Sequence, residues 1–250
     1  MSPAFRRFLL FALLLAPSAH AEQITVAVAA NFHAPMQRIA RDFEAASGHQ
    51  VRLSAGSTGK HYAQIANGAP FDAFFAADAE HPAKLEQANL TVHGSRFTYA
   101  LGKLVLWSPR PGLVDAQGEV LRQGGFRRLA IANPRLAPYG AAAAEALRRL
   151  DLWQALQGKL VQGENIAQAF QFVASGNAEL GFVALSQLRQ PGLAGGGSEW
   201  IVPPELYSPI AQQAVLLKDG EAARAFLDYV ASAPARQVIA AHGYDLPPPR

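Results

Sequence analysis

The chain has 250 residues, half of them hydrophobic, enough to bury a sizeable core as one large domain or two smaller ones. It has no cysteine, which excludes disulfides, thiolate metal sites and a lipid attached through an N-terminal Cys. The formal charge of +3 includes Arg6 and Arg7 of a leader; the remainder carries 20 basic and 19 acidic residues, and its pairs Arg127-Arg128 and Arg148-Arg149 stand isolated, so no nucleic-acid partner is expected.

In "MSPAFRRFLLFALLLAPSAHA" the two arginines precede an apolar run at residues 8–16, and the stretch ends in the small-x-small pattern Ala19-His20-Ala21. This predicts a secretory signal over residues 1–21 and a mature, periplasmic chain beginning near Glu22. The run is too short to span a bilayer core of about 30 Å. "ITVAVAAN" then reads as a buried strand, and "FHAPMQRIARDFEAASGH" as a helix with Met36, Ile39, Ala40 and Phe43 inward, Asn31 as N-cap and Gly48 as its stop. "QVRLSA" is a second strand, residues 56–59 a turn, "KHYAQIANG" a short helix, "FDAFFAA" a third strand and "DAEHPAKLEQANL" a third helix.

"FTYALGKLVLWSP" reads as one long strand leading into a second series. "RRLAIANP", "GKLVQG" and "AELGFVAL" are its strands. Its helices are "YGAAAAEALRRLDLW", with Ala143, Ala146, Leu147 and Leu150 inward, and "ENIAQAFQFVASGN", with Ile166, Phe170 and Val173 inward. "PGLAGGGSE" is a loop, "YSPIAQQAVLLK" a strand, "GEAARAFLDYVAS" and "PARQVIAAHG" helices, and "LPPPR" a frayed end. The alternation predicts an α/β protein of two lobes, each a mixed, mostly parallel sheet flanked by helices, hinged by two crossing strands. Lobe 1 comprises residues 22–98 and 215–250, and lobe 2 residues 99–214.

"GSTGKH" at residues 56–61 imitates a phosphate loop, but only two residues separate its glycines and His61 follows Lys60, so the nucleotide reading fails. Small, uncharged residues also fill three other turn-to-helix junctions, "AANF" from Ala29, "APYG" from Ala137 and "ENIA" from Glu164. Each offers free N–H groups at the positive end of a helix, and Asn31, Ser57, Thr58 and Tyr139 add side-chain donors. With two junctions in each lobe, closure would gather neutral donors around one dianion. Such a cage disfavours a protonated phosphate, whose O–H would find no acceptor. Glu164 is expected to point outward or to serve the helix end. His33 and His61 are expected on an exposed rim or as helix caps. A triad of Ser57, His61 and Asp72 or Asp78 lacks a G-x-S-x-G elbow. The six His of the mature chain are scattered without H-E-x-x-H, so neither catalysis nor a metal site is expected.

"VAVAANFHAPMQRIARDFE", "SAGSTGKHYAQIANGAPFDAFFAAD", "LAIANPRLAPYGAAAAEAL", "GENIAQAFQFVASGNAELGFVALSQ" and "AFLDYVASAPARQVIAAHGYDL" together resemble, in order and over essentially the whole mature chain, the molybdate-binding periplasmic proteins of ABC importers. The resemblance implies a type II solute-binding fold, no cofactor, and molybdate or tungstate as ligand, with no protein atom bonded directly to the metal. It implies donors from Asn31, Ser57 and Thr58 in the first lobe, and from Tyr139 and the Ile166 backbone N–H in the second. It further implies a membrane permease as partner and a monomer. Some relatives have Ser in place of Asn31, Ala in place of Tyr139, or a ligand-binding Tyr where this chain has Ala184; the Tyr139 hydroxyl could replace that one. Sulfate, of the same charge and shape, is the alternative ligand, and a secreted hydrolase the alternative class.

Overall fold

The computed structural model describes residues 21–190 and 196–248. The expected leader lies outside the described residues except for Ala21, as do residues 191–195 of the expected loop and the last two of the proline-rich end. The first series is β1 (Gln23–Ala29), α1 (His33–Ser47), β2 (Gln50–Gly56), α2 (Thr58–Ala66), β3 (Ala73–Phe75) and α3 (Glu80–Gln87), followed by β4 (Phe97–Gly102). The second is β5 (Leu104–Ser108), α4 (Val120–Gln123), β6 (Leu129–Ala132), α5 (Pro138–Arg149), α6 (Trp153–Leu156), β7 (Leu160–Gly163), α7 (Ile166–Ala174), β8 (Leu180–Ala184), α8 (Leu185–Leu188) and β9 (Ser198–Ile201). β10 (Ile210–Leu216), α9 (Glu221–Ala231) and α10 (Ala233–Ala241) complete it.

The strands form two five-stranded sheets, in the orders β2-β1-β3-β10-β4 and β7-β6-β8-β5-β9. In each sheet four strands run one way and one runs against them, β10 in the first and β5 in the second. Each reversed strand directly follows a strand of the other sheet, so the chain crosses between sheets at Lys103 and again at residues 202–209. The apparent single strand at residues 97–109 is therefore two, split where it changes sheet. The lobe boundaries expected at 98/99 and 214/215 cut through β4 and β10, which pair with each other from Gly102–Ile210 to Phe97–Ala214 and belong whole to the first sheet.

Both sheets are covered on both faces, and the two-residue period assigns each side chain. In the first sheet Ile24, Val26, Val28, Phe75, Ala214 and Leu216 face α1, α9 and α10, while Ala27, Phe74 and Val215 face α2 and α3. In the second, Leu104, Leu106, Leu129, Ile131 and Phe182 pack on α5, and Val105, Trp107, Ala130 and Val183 pack with Phe170 and Val173 of α7. A fully buried Phe such as Phe75 contributes roughly 1.5–3 kcal/mol. Gly48 stops α1 in the left-handed region, at φ 78°. Gly140 lets α5 start hard against β6: a Cβ there would lie 2.3 Å from the Ala132 carbonyl oxygen. Beyond the expected elements stand the one-turn helices α4, α6 and α8 and the edge strand β9, which pairs only with β5.

Candidate anion-binding site

Three parallel strands of the first sheet and three of the second send their chains onward toward the space between the sheets. There β1, β2, β6 and β7 pass into the starts of α1, α2, α5 and α7. Between these junctions lies a small cavity. From the first-sheet side it is lined by Ala29, Ala30, Asn31, Gly56, Ser57, Thr58 and Ala77, and from the second by Ala137, Pro138, Tyr139, Asn165 and Ile166. All five residues predicted from the sequence, Asn31, Ser57, Thr58, Tyr139 and Ile166, are thus brought to one cavity. None of the lining residues is charged.

The hydrogen bonds around the cavity decide which donors are left over. Ser57, the N-cap of α2, is 2% exposed and its hydroxyl has no partner. The Thr58 hydroxyl accepts from the Ala77 N–H at 3.0 Å, so its own proton remains to be given elsewhere. Asn165 caps α7 by accepting from the N–H groups of Ala167 and Gln168 at 3.0 and 3.1 Å, which leaves the Ile166 N–H without an acceptor in the first turn. The Tyr139 N–H lies one position further into α5, behind Pro138, still within the first turn, whose N–H groups lack helical acceptors.

Two side chains act differently from expectation. Asn31 is no N-cap: it sits in the 3-10 turn Ala30–Phe32 that precedes α1, and Phe32 is the cap residue. Its Nδ2 donates to Gln212 Oε1 and to the Tyr244 hydroxyl, both at 2.9 Å, so these protons are directed into the protein. The Tyr139 hydroxyl likewise leaves the cavity, accepting from Gln212 Nε2 at 3.2 Å, and burial raises its pKa well above 10.0, keeping it a neutral O–H. Gln212, Tyr99, Tyr244 and Ser186, unnamed by the sequence reading, form with Asn31 a buried polar layer behind the cavity. Their separations in the chain, up to 213 residues from Asn31 to Tyr244, carry no local pattern.

Charged groups ring the site without entering it. Glu164 points outward, paired with Lys60 at 3.2 Å across the gap between the sheets. Nearby the Gly59 N–H donates to the Leu136 carbonyl at 2.8 Å, another direct link between the two sides. His61 is not on a rim. It is 3% exposed beneath Gly56, edge-on to Phe71 and Phe74, and burial lowers its pKa from 6.5. His33 is half-buried, its pKa lowered by the same cause. Among the described residues no group of three or more His, Cys, Asp or Glu could hold a metal ion.

Four helix starts, each worth about half a positive charge, sum to roughly two charges around the cavity. With the free N–H groups and the two hydroxyls they form a donor shell suited to a compact dianion.

Residues 24–245 match the family described as bacterial extracellular solute-binding protein. The molybdate-binding protein ModA of Azotobacter vinelandii is 58% identical over 236 residues, covering 93% of this chain and 94% of that one. ModA of Rhodobacter capsulatus is 47% identical, covering 92% and 91%. The solved structure of an Azotobacter vinelandii periplasmic molybdate-binding protein superposes with a TM-score of 0.86 at 45% identity, covering 90% of this chain and all of that one.

Proposed function

The chain belongs to the bacterial extracellular solute-binding protein family, and from that premise we propose that it is the periplasmic component of an ABC importer that captures molybdate, with tungstate as a further ligand, and delivers it to a membrane permease. The observation that carries this reading is the uncharged cavity at four helix starts with the partnerless, buried Ser57 hydroxyl at its wall. A buried hydroxyl without a partner costs about 1–3 kcal/mol, and an anion oxygen would take its proton. The donors we assign are the Ser57 and Thr58 hydroxyls, the N–H groups of the Ala30–Phe32 turn, and those of Thr58, Tyr139 and Ile166. Asn31 shapes the turn through its side chain, and Tyr139 contributes its backbone.

The protein binds and releases its ligand without chemistry, as a monomer, after export through the leader. Its two lobes are built on the two sheets, and closure about Lys103 and residues 202–209 stabilises the liganded state by its greater affinity for the anion. No helix among the described residues is long and apolar enough to cross a membrane. No carboxylate lines the cavity, so a protonated phosphate would bury an unsatisfied O–H.

The test is calorimetric titration of the mature protein with molybdate, tungstate, sulfate and phosphate. Submicromolar binding of the first two, about −8 kcal/mol or better, with sulfate and phosphate far weaker, is the expected result. Sulfate binding as tightly as molybdate would make this a general sulfate-type carrier. Binding of none would end the proposal.

A further inference from the structure

Behind the cavity the Ser186 hydroxyl bonds across to the Asn31 carbonyl and to Tyr244, and a second side chain, Gln212, also joins both sides of the molecule. Gln212, fully buried in β10, accepts on Oε1 from Asn31 Nδ2 at 2.9 Å and from the Tyr99 hydroxyl at 3.0 Å. Its Nε2 donates to the Tyr139 hydroxyl at 3.2 Å. The amide has one orientation only, since the reverse would set its NH₂ against the NH₂ of Asn31. Asn31 and Tyr99 belong to the first-sheet side, whereas Tyr139 is carried on α5 over the second sheet. A register shift in β10 between Gln212 and Gln213 lies at this point.

The Tyr139 hydroxyl reaches Gln212 through a gap left by a glycine. A Cβ on Gly102 would fall 2.2 Å from that hydroxyl and 2.8 Å from Gln212 Nε2. Gly102 has no positive φ, so it is needed for space and not for its backbone angles. It ends β4, one residue before the crossing at Lys103, and pairs with Ile210 just after the other crossing.

We propose that Gly102 and Gln212 form a socket for the Tyr139 hydroxyl, and that Gln212 is a positioning residue coupling closure of the second lobe to placement of the Asn31 turn at the anion. This rests on the anion-binding reading above. When the lobes close, the start of α5 brings the Tyr139 N–H to the cavity while the hydroxyl of the same residue enters the socket. The carboxamide that receives it also holds the Asn31 side chain, so Gln212 ties the α5 wall to the Asn31 wall, beside the Ser186 bond to the Asn31 carbonyl. An open molecule leaves that hydroxyl to water, and the ligand-bound state gains the bond.

The experiment uses the mature protein with molybdate as probe, following affinity by calorimetry and closure by small-angle scattering. Gln212→Met keeps the volume, and its loss leaves Asn31 bonded to Tyr244 and Tyr99 bonded to the Ala76 carbonyl. Tyr139→Phe removes one oxygen and serves as the second variant should Gln212→Met lower stability. Each is expected to weaken binding by roughly two- to tenfold, with faster release, and the double variant to be no weaker than the worse single one. Gly102→Ala should bind more weakly still and contract less on molybdate addition, and adding Tyr139→Phe should restore part of both. Fully additive losses in the Gln212/Tyr139 pair, or wild-type affinity and contraction in Gly102→Ala, would overturn the socket while leaving the oxyanion reading intact. Failure of the wild-type protein to bind molybdate would remove both.

Discussion

Lys60 Nζ lies 3.2 Å from Glu164 Oε1, joining the first turn of α2 to the residue before the α7 cap across the gap between the two sheets. The two side chains are 52% and 37% exposed, so the pair is a solvated clasp outside the donor shell. Exposed pairs of this kind contribute about 0–1 kcal/mol. Lys60→Ala should therefore raise the molybdate Kd by less than about fivefold, through faster release, and the difference from wild type should vanish in high salt. Stopped-flow release rates at low and high ionic strength check this; a loss of a hundredfold or more would place the ammonium at the anion.

Ser57 and Thr58 are adjacent hydroxyls with opposite roles in the fold. Because Ser57 Oγ has no protein partner, Ser57→Ala removes nothing that holds the ligand-free chain together. The expected outcome is an unchanged or slightly raised melting temperature without ligand, and a loss of about 1.5–3 kcal/mol in molybdate binding, the worth of a hydrogen bond to a charged group. Calorimetry and a thermal melt on the same sample separate the two.

Thr58→Val should fail on both counts. Its hydroxyl accepts from the Ala77 N–H at 3.0 Å, and an apolar replacement leaves that buried donor unsatisfied, at about 1–3 kcal/mol of folding stability. Affinity should fall as well, because the hydroxyl proton is lost with the oxygen. A melt that matched wild type would show that the Ala77 N–H finds another acceptor.

The contrast marks what was legible in the sequence. The junction residues could be named because the helix period and the strand-to-helix turns are local: once Met36, Ile39 and Phe43 set the inner face of α1, and the "GSTG" turn opens α2, the free N–H groups follow from position alone. The apolar alternation of Ile24, Val26 and Val28 and of Phe74 with Phe75 likewise defines both faces of the first sheet. Side-chain roles were not legible, because they depend on partners distant in the chain. Asn31 has the chemistry of an N-cap, yet Gln212 and Tyr244, 181 and 213 residues away, take its protons. The crossing at Lys103 was hidden for a different reason: Tyr99 and Ala100 before it and Leu104, Val105 and Leu106 after it are buried alike, and only the half-buried Gly102-Lys103 pair interrupts the strand-like run at the change of sheet. The edge strand β9 is four residues long and follows a glycine-rich run, too short to show a period.

His61 predicts a specific acid sensitivity. The ring lies 3% exposed beneath Gly56, bonded at Nδ1 to Gln64 and packed on Phe71 and Phe74, with Nε2 unpartnered. Burial lowers its pKa below 6.5, and the charge of Lys60 lowers it further, against the raising effect of the Gln64 bond. The unfolded chain therefore takes up a proton near pH 6.5 while the folded chain stays neutral, and folding stability must fall as the pH drops through that region toward the folded-state value. Well above pH 6.5 both states are neutral and this residue adds no slope. His33, half-buried with its pKa lowered in the same direction, adds a slope of the same sign. Urea unfolding at stepped pH should show stability declining below about 6.5 in the wild-type protein and declining less in His61→Gln, with His33→Gln as the companion control. The His61 ring is outside the cavity lining, so the molybdate affinity of His61→Gln should match wild type wherever both are folded. An identical pH slope in the two proteins would mean that the buried ring accepts a proton without leaving its place.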